Sequence, residues 1–157
     1  MRRLDRQITD QNELLEIVDR CEVCRIGFAV EGQAYITPLN FGYENVGDSL
    51  TLYFHGAAQG RKLDMMASNP LVCFEMDCGH RLITSDVGCG FTYDYESVIG
   101  EGILEEVTDL NEKIHALDVV LAHYSPNKTY DYQPQAARSV CVLKLTIQSM
   151  TGKRNKS

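Results

Sequence analysis

One segment of the sequence combines residue types that could bind an anion. Positions 53–62 read Tyr-Phe-His-Gly-Ala-Ala-Gln-Gly-Arg-Lys, a strand-like run followed by small residues and then by the start of a predicted helix. Free N–H groups and the dipole at a helix N-terminus favour a negative charge. Arg61 and Lys62 add positive charge, and His55 adds a donor from the end of the strand. Together these groups could hold a phosphate monoester.

Other interpretations of the same segment stay open. It differs from the phosphate-binding loop of nucleotide-hydrolysing enzymes, because only three residues separate Gly56 from Gly60 and neither Ser nor Thr follows Lys62. Arg61 and Lys62 could also be a solvated pair in the first turn of a surface helix. His55, taken alone, could be an ordinary packed or surface histidine. The pattern indicates an anion site without excluding a structural role.

The cysteines offer a second possible chemistry. Cys21 and Cys24 have the spacing of a metal-binding or redox pair, but a zinc site requires a second, closely spaced pair of ligands. Cys78 and Cys89 are eleven positions apart, with His80 beside the first, which makes an irregular set. Zinc binding and packing of the cysteines as small apolar residues both stay open. We favour packing and predict no metal ligands.

Three further patterns lack the partners that their chemistry would need. Gly100–Gly102 lacks the third glycine and the helix of a dinucleotide-binding fingerprint. His115 and His123 are eight positions apart on a predicted helix, and without a third ligand we interpret them as helix-face residues. The acidic residues from Asp94 to Asp109 have no base among them, and alternation along a strand favours a solvated face. The sequence therefore assigns no catalytic residue.

The elements predicted around these segments are mostly strands. Asp10 and Glu13 have capping-box spacing and begin a helix, and two more helices are predicted over Arg61–Ala67 and from Asp109 to about Tyr124. The predicted strands are Cys24–Val30, Ala34–Tyr43, Ser49–His55, Leu71–Met76, Phe91–Val107 as one long strand or two, and Val140–Ile147, with Cys78–Gly90 unplaced and Ser125–Ala137 a loop. Pro38 cannot donate to a ladder, so its strand should be an edge or be interrupted there. Short strands with hairpin-like turns favour a small antiparallel barrel over a parallel doubly wound sheet.

Length and composition indicate one folded domain. The 157 residues carry 15 Lys and Arg against 22 Asp and Glu, for a net charge of −7. This acidic balance argues against a nucleic-acid-binding protein. We assign residues 1–150 to a single domain, which at this size needs no disulfide or metal, and residues 151–157 to a basic, mobile C-terminal tail. Met1–Asp10 lacks the apolar stretch of a secretory signal, and no window could span a membrane. We therefore expect a soluble, cytoplasmic protein with reduced thiols.

Several segments, taken in chain order, resemble one known family. They are Met1–Arg6, Ala34–Tyr43, Leu52–Ala57 with Gly60–Leu63, Asn69–Phe74 and Tyr95–Gly102. The sequence resembles the pyridoxamine-phosphate-oxidase-like, FMN-binding split-barrel superfamily, and within it the group that contains nitroimidazole-resistance proteins. The likeness covers nearly the whole chain, and the joint pattern is far more specific than any single segment. Cys24 and the insert from Cys78 to Cys89 depart from the family pattern.

The resemblance implies a fold and a set of cofactor contacts. The fold is mainly β with flanking helices, a six-stranded antiparallel split β-barrel that forms a homodimer with one FMN in each of two interface clefts. The implied contacts are main-chain groups around Thr37, Pro38, Leu39 and Asn40 at the isoalloxazine edge, Tyr53, Phe54 and His55 beside the ring and ribityl chain, Gly60, Arg61 and Lys62 at the phosphate, and Ser97 and Val98 from the partner subunit.

The resemblance also implies an FMN-dependent oxidoreductase. It would pass electrons from a nicotinamide donor, NAD(P)H, to small electron-poor organics such as nitroaromatics, with the protein supplying position and electrostatics. Two alternatives stay open: a flavin carrier or sensor without turnover, and a binder of haem or a deazaflavin, because a fold does not fix its ligand. Pyridoxamine-phosphate oxidation is not expected, since the sequence lacks that enzyme's Arg-rich substrate signature.

Overall fold

The computed structural model describes residues 4–47 and 49–156. The strands are β1 (Gln7–Ile8), β2 (Cys24–Val30), β3 (Gln33–Leu39), β4 (Phe41–Val46), β5 (Ser49–Gly56), β6 (Leu71–Ile83), β7 (Thr92–Val107) and β8 (Cys141–Asn155). The helices are α1 (Gln11–Arg20), α2 (Arg61–Ser68), α3 (Leu110–Tyr124) and α4 (Pro134–Ser139). The first three residues of the family-like opening segment, Asp48 of a predicted turn, and Ser157 of the predicted tail lie outside the described residues.

Within the described residues, the strands form one eight-stranded antiparallel sheet in the order β3-β2-β6-β7-β8-β5-β4, with β1 pairing with β8 beside this path. The two outermost strands of this order, β3 and β4, are consecutive in the chain and are separated only by Asn40. The sheet must therefore curl until its two edges approach each other at Asn40. This geometry is a barrel joined at one corner, and it confirms the predicted antiparallel split barrel with flanking helices.

The strand count differs from the predicted six, because the described chain also contains the two-residue β1 and because Ala34–Tyr43 is divided. Its two parts are β3 and β4, which meet at Asn40 and lie at opposite ends of the sheet order. Pro38 lies on β3, where it pairs with Arg25 of β2. Because β3 is an edge strand, no strand on its unpaired side needs a hydrogen bond from the N–H that proline lacks. The prediction that Pro38 marks an edge or an interruption is confirmed.

The central strands β6 and β8 are longer than predicted, whereas β7 is one continuous strand within the predicted range. β6 continues through the previously unplaced segment to Ile83, past an irregularity that follows Cys78. β8 continues to Asn155, so the prediction of a mobile tail from Thr151 is wrong for the described residues. Pairing with β7 from Thr151 through Asn155 fixes this backbone, and the charged side chains along it are compatible with a strand that has one solvated face.

Helices α1, α2 and α3 begin where the sequence predicts, whereas α4 begins at Pro134 inside the segment Ser125–Ala137 that was predicted to be a loop. Asp10 caps α1 by accepting a hydrogen bond from the Glu13 N–H at 3.0 Å, and α1 buries Leu14, Ile17 and Val18 in the barrel core. Asp109 caps α3 in the same way, because its side chain accepts hydrogen bonds from the N–H groups of Asn111 and Glu112. Among the described residues, no helix has both the length and the apolar character that crossing a membrane requires.

Helix α3 lies unusually close to β4. A Cβ atom placed on Gly42 would lie 2.3 Å from the carbonyl oxygen of Val119. Only glycine therefore allows the helix backbone to pack directly on the strand. This contact brings the C-terminal end of α3 to the corner between β3 and β4.

Candidate cofactor site

Asn40 lies at the corner where β3 ends and β4 begins. Its side-chain Nδ2 is 3.2 Å from Nε2 of His55 on β5, which fits an amide N–H donating to a neutral imidazole. The next residue is also anchored, because the Phe41 N–H donates to the Tyr124 hydroxyl at 3.0 Å. That hydroxyl donates in turn to the carbonyl of Glu22 at 2.6 Å. The corner is thereby held between α3 and the segment that joins α1 to β2.

Helix α2 begins with exposed backbone donors. Gly60 is its N-cap residue and has φ 131°, a conformation that residues with side chains rarely adopt. No side chain of a described residue caps this turn. The N–H groups of Leu63 and Asp64 donate to the Gly60 carbonyl, and the amides before them precede the first helical hydrogen bond. The start of α2 therefore carries the free amides that favour an anion.

Arg61 extends from the start of α2 toward β3. Its guanidinium carbon is 4.8 Å from the centroid of the Tyr35 ring, and its Nη2 is 3.5 Å from Oε1 of Gln33. A guanidinium stacked on an aromatic ring is held in place while keeping most of its donors available. Arg61 is thus positioned between α2 and β3 without losing its charge.

Lys62 lies beside the end of β5. Its Nζ is 3.5 Å from the Ala57 carbonyl, and a Cβ atom on Gly56 would lie 3.0 Å from the same Nζ. The ammonium group therefore lies next to the backbone that follows His55. Within residues 4–47 and 49–156, neither Lys62 nor Arg61 forms an ion pair with a carboxylate.

The structure brings a subset of the sequence-predicted site residues together. This subset, which we call the corner site, comprises Asn40, His55, Gly60, Arg61 and Lys62. Residues Thr37, Pro38 and Leu39 lead into it along β3, whose unpaired side in the sheet order leaves backbone N–H and C=O groups available. The corner site therefore joins an edge strand, a strand end and a helix N-terminus.

Three other predicted residues use their side chains for packing. Phe54 and Val98 are fully buried in the barrel core. Tyr53 points to the opposite face, where its ring packs under α3 and its hydroxyl donates to Oε2 of Glu44 at 3.1 Å. Burial and the Glu44 carboxylate raise the pKa of Tyr53 to about 12. Any contact of these three residues with a cofactor would have to come from their backbone.

Ser97 lies away from the corner site of its own chain. It is half-buried on β7, where it pairs with Asp77 and Lys153. The sheet order places β2 and β6 between β3 and β7, so roughly 14 Å of sheet separates Ser97 from the Thr37 region at the usual strand spacing. Ser97 and the corner site cannot contact the same small ligand group within one chain.

The outer side of the sheet exposes apolar side chains between these regions. Ile36 on β3 is 65% exposed, Leu71 on β6 45% and Ile99 on β7 50%. Gly27 lies directly between Ile36 and Cys73 in the strand register, and residues opposite each other share a face. We call this surface, formed by these five residues, the outer sheet face.

Sequence analysis missed Tyr124, which holds the backbone at the corner. Its contact with Phe41 spans 83 positions. A tyrosine at the end of a predicted helix carries no signal of such a partner, so only the packing of α3 on β4 identifies it.

The cysteines that are spaced like metal ligands lie in the core. Cys21 and Cys24 are both buried, and burial raises the pKa of each thiol. In the part of the chain that the structure describes, no three His, Cys, Asp or Glu side chains are grouped as metal ligands. Cys21 and Cys24 therefore occupy positions that are typical of small apolar residues.

A comparison of the sequence with known families identifies the family of this chain. The sequence model of the pyridoxamine 5'-phosphate oxidase family matches residues 10–154. The chain belongs to this family. The match includes every residue of the corner site. No curated protein is similar enough in sequence to match the chain.

Several solved structures share the fold of this family member. A proposed 5-nitroimidazole antibiotic resistance protein from Bacteroides thetaiotaomicron is 35% identical, with a TM-score of 0.82 over 94% of this chain and 86% of that one. The flavocytochrome Anf3 of Azotobacter vinelandii is 20% identical, with a TM-score of 0.82 over 100% and 72% of the two chains. The FAD and haem binding protein of Mycobacterium smegmatis is 18% identical, with a TM-score of 0.83 over 97% and 74%.

Proposed function

We propose that this chain binds FMN at the corner site and acts as a flavin-dependent oxidoreductase. The observation that carries the proposal is the pair Arg61 and Lys62, which lies at the uncapped start of α2 and forms no ion pair with the described residues. A phosphate monoester carries up to two negative charges and accepts several hydrogen bonds. It would offset both cations and accept from the free amides of α2.

The rest of the corner site fits the remainder of a flavin mononucleotide. The backbone of Thr37, Pro38 and Leu39 lies on an edge strand, where unpaired donors and acceptors suit the polar edge of an isoalloxazine ring. Asn40 and His55 lie between that strand and Lys62, in position for the ribityl chain. When bound, the flavin supplies hydride and electron transfer, while the protein supplies position and charge.

The choice of substrate rests on a relative. The protein from Bacteroides thetaiotaomicron that is 35% identical bears a name that links it to 5-nitroimidazoles, and two structural neighbours from Mycobacterium smegmatis are named as FAD-binding. We therefore propose the reduction of small electron-poor organics such as nitroaromatics, with NAD(P)H as the donor. The cytoplasm, where reduced nicotinamides are available, is the proposed location.

The proposal includes a homodimer. Half-buried Ser97 and exposed Ile99 and Ile36 occupy the same side of the sheet, and apolar surface of this kind favours protein contact. A second copy packed on the outer sheet face would cover these side chains. It could also bring its Ser97, and the backbone of its Val98, toward the corner site of the first copy, which a single chain cannot do.

The first test is a visible absorption spectrum of the purified protein with and without added FMN, followed by an anaerobic assay with NAD(P)H and a nitroaromatic acceptor. A flavin spectrum and acceptor-dependent oxidation of the nicotinamide are expected. Bound flavin without turnover would support a carrier or sensor instead. A haem or deazaflavin spectrum would change the cofactor, and a colourless protein that does not bind added FMN would overturn the proposal.

The role of His55 can be tested separately with His55→Ala. We expect weaker flavin binding, because Asn40 loses its partner at the corner site. If His55 also donates a proton to the substrate, turnover at saturating flavin falls with it. Unchanged turnover at normal flavin content would remove His55 from the mechanism.

A further inference from the structure

The hairpin that joins β6 to β7 carries apolar side chains on the same side of the sheet as the outer sheet face. We call residues 82–93, where β6 ends and β7 begins, the hairpin arm. Tyr93 and Ile99 are six positions apart on β7, so their side chains point to the same side of the sheet. Leu82 is the ladder partner of Tyr93 and shares its side. The hairpin arm therefore continues the apolar surface beyond the outer sheet face.

The hairpin arm and the outer sheet face together hold most of the large apolar side chains that the described residues expose. They account for seven of these twelve side chains, namely Leu82, Val87, Phe91 and Tyr93 on the arm and Ile36, Leu71 and Ile99 on the face. Each of the seven is between 45% and 67% exposed, which leaves roughly 100 Å² of each in water. Their combined area approaches the surface of about 800 Å² per partner that a stable interface buries. Apolar surface concentrated in this way indicates a protein contact.

Gly27 leaves a depression in the outer sheet face between Ile36 and Cys73, its two ladder partners. A Cβ atom on Gly27 would lie 3.6 Å from the Cys73 carbonyl oxygen, an ordinary contact. Packing within the chain therefore does not require glycine here, in contrast to Gly42. Gly27 also has no positive φ, and its pairing with β3 is regular. A glycine inside a regular strand is typical of a place that a ligand or another chain approaches closely.

The hairpin arm cannot cover this depression in its own chain. Leu82 lies nine positions beyond Cys73 along β6, which is roughly 30 Å at the rise of an extended strand. A second copy that is related by a two-fold axis can present the same surface in the reverse direction. When that axis runs across the strands, the arm of each copy meets the outer sheet face of the other, and both apolar regions are covered at once.

The charged side chains between the two apolar regions are paired within the chain. Arg25 forms ion pairs with Glu75 at 3.1 Å and with Asp77 at 2.7 Å. His80 contacts the same Asp77 at 2.6 Å, and its ring lies 5.9 Å from that of Tyr93. Internal pairing limits the repulsion between two copies of this surface, and polar groups commonly surround the apolar centre of an interface.

We propose that the hairpin arm of one copy docks on the outer sheet face of a second copy, with the Phe91 and Tyr93 rings over the depression at Gly27. This inference rests on the homodimer of the proposed function and specifies which surfaces meet. Two-fold symmetry forms the contact twice, so each copy gives one arm and receives one. Because Ile36 precedes Thr37 on β3, the arm of one copy lies beside the corner site of the other.

The first measurement is the dissociation constant of the dimer, obtained by sedimentation equilibrium of the full-length chain with and without added FMN. Gly27→Leu fills the depression, and Phe91→Ser combined with Tyr93→Ser removes the two rings. Each change should weaken the dimer at least about tenfold, because a few central side chains provide most of the affinity of an interface. Val46→Ser, at a 74% exposed position on β4 outside both surfaces, is the matched control and should leave the dimer unchanged. Circular dichroism checks that each variant is folded.

Cross-linking determines which residues meet in the dimer. The background carries Cys73→Ser, Cys78→Ser and Cys89→Ser, so that the remaining cysteines are buried. One tagged copy then carries Ile36→Cys, a second copy carries Tyr93→Cys, and the two are co-expressed and treated with a short bis-maleimide. Peptide mapping should show residue 36 of one copy linked to residue 93 of the other.

The proposal is overturned if the chain is monomeric, if the dimer forms without this link, or if links join residue 36 to residue 36 or residue 93 to residue 93. It is also overturned if Val46→Ser weakens the dimer as much as Gly27→Leu does. A linked dimer that binds no FMN would support the contact and contradict the proposed flavin site. FMN bound to a protein without the link would overturn the contact and leave the flavin site standing.

Discussion

Two groups of basic side chains in this molecule are used in opposite ways. Near the end of β8, Arg20 and Arg154 donate to Glu96, whose side chain is 2% exposed, and Lys156 lies 3.4 Å from the same carboxylate. At the start of α2, Arg61 and Lys62 lie next to each other and, within the described residues, no carboxylate pairs with them. The first group is paired with carboxylates of the protein itself, whereas the second has no such partner among the described residues.

The difference shows why residue type alone does not identify a site. Burial would raise the pKa of Glu96, but the hydrogen bonds from Arg20 and Arg154 outweigh it and lower that pKa from 4.5 to about 2. The cations around Glu96 are therefore part of the fold. The cations of α2 contribute no such internal pair, and we infer that their partner is an external anion.

The largest effect is expected on the free energy of unfolding when the Glu96 carboxylate is removed. Glu96→Gln removes the carboxylate to which Arg20 and Arg154 donate, which should lower the free energy of unfolding by about 2–3 kcal/mol, as expected for charged hydrogen bonds whose cations stay partly solvated. Urea unfolding followed by circular dichroism measures the change. Glu105→Gln, an exposed position on the same strand, is the matched control and should stay within about 0.5 kcal/mol. Equal effects of the two changes would contradict a structural role for the cluster.

The Glu96 carboxylate should also make the free energy of unfolding depend on pH. Because the pKa of Glu96 is lower in the folded chain, its contribution is complete above about pH 4.5 and is lost as the pH falls toward 2. The loss from this group amounts to about 3 kcal/mol. Between pH 4.5 and 2, the free energy of unfolding should fall more steeply with decreasing pH for the wild type than for Glu96→Gln. Parallel curves would assign the acid sensitivity to other groups.

A smaller effect is expected at the corner between β3 and β4. Tyr124→Phe removes the hydroxyl that accepts from the Phe41 N–H and donates to Glu22, at a cost of about 1–2 kcal/mol. Flavin affinity should fall as well, since this contact fixes the backbone next to Asn40. Tyr130→Phe, an exposed tyrosine in a loop, is a suitable control. A fully stable Tyr124→Phe protein would show that the corner is held by other contacts.

The smallest effect on stability is expected at α2. Lys62→Ala removes a cation that has no carboxylate partner among the described residues, so the free energy of unfolding without ligand should change by no more than about 0.5 kcal/mol. Thermal unfolding of the flavin-free protein measures it. A large loss would mean that Lys62 is structural, as the cations around Glu96 are, and would remove the contrast between the two groups.

Local sequence signals predicted those parts of the fold that depend on neighbouring residues. The Asp10 cap, the edge position of Pro38 and the helix that begins at Arg61 all follow from the chemistry of a few adjacent positions. Much of the corner site was predicted for the same reason, because His55 and Lys62 lie within one segment. Asn40 was included among the predicted site residues only because of the family resemblance.

Long-range pairing explains what the sequence could not show. Arg154 meets Glu13 across 141 positions and Glu96 across 58, so the basic end of the chain resembled a tail although it completes β8. The orientation of Phe54 and Val98 into the core likewise depends on the register of long strands, which no short pattern fixes. The position of Ser97 became clear only from the sheet order.

The most direct test of the central claim compares FMN with riboflavin, which lacks the phosphate. Both ligands are titrated into the flavin-free wild type and into the Arg61→Ala, Lys62→Ala double variant. We predict that the wild type binds FMN at least about 100-fold more tightly than riboflavin, as expected for charged hydrogen bonds to phosphate, and that the double variant loses most of this difference. Equal affinity of the wild type for the two ligands would contradict a phosphate site at the start of α2.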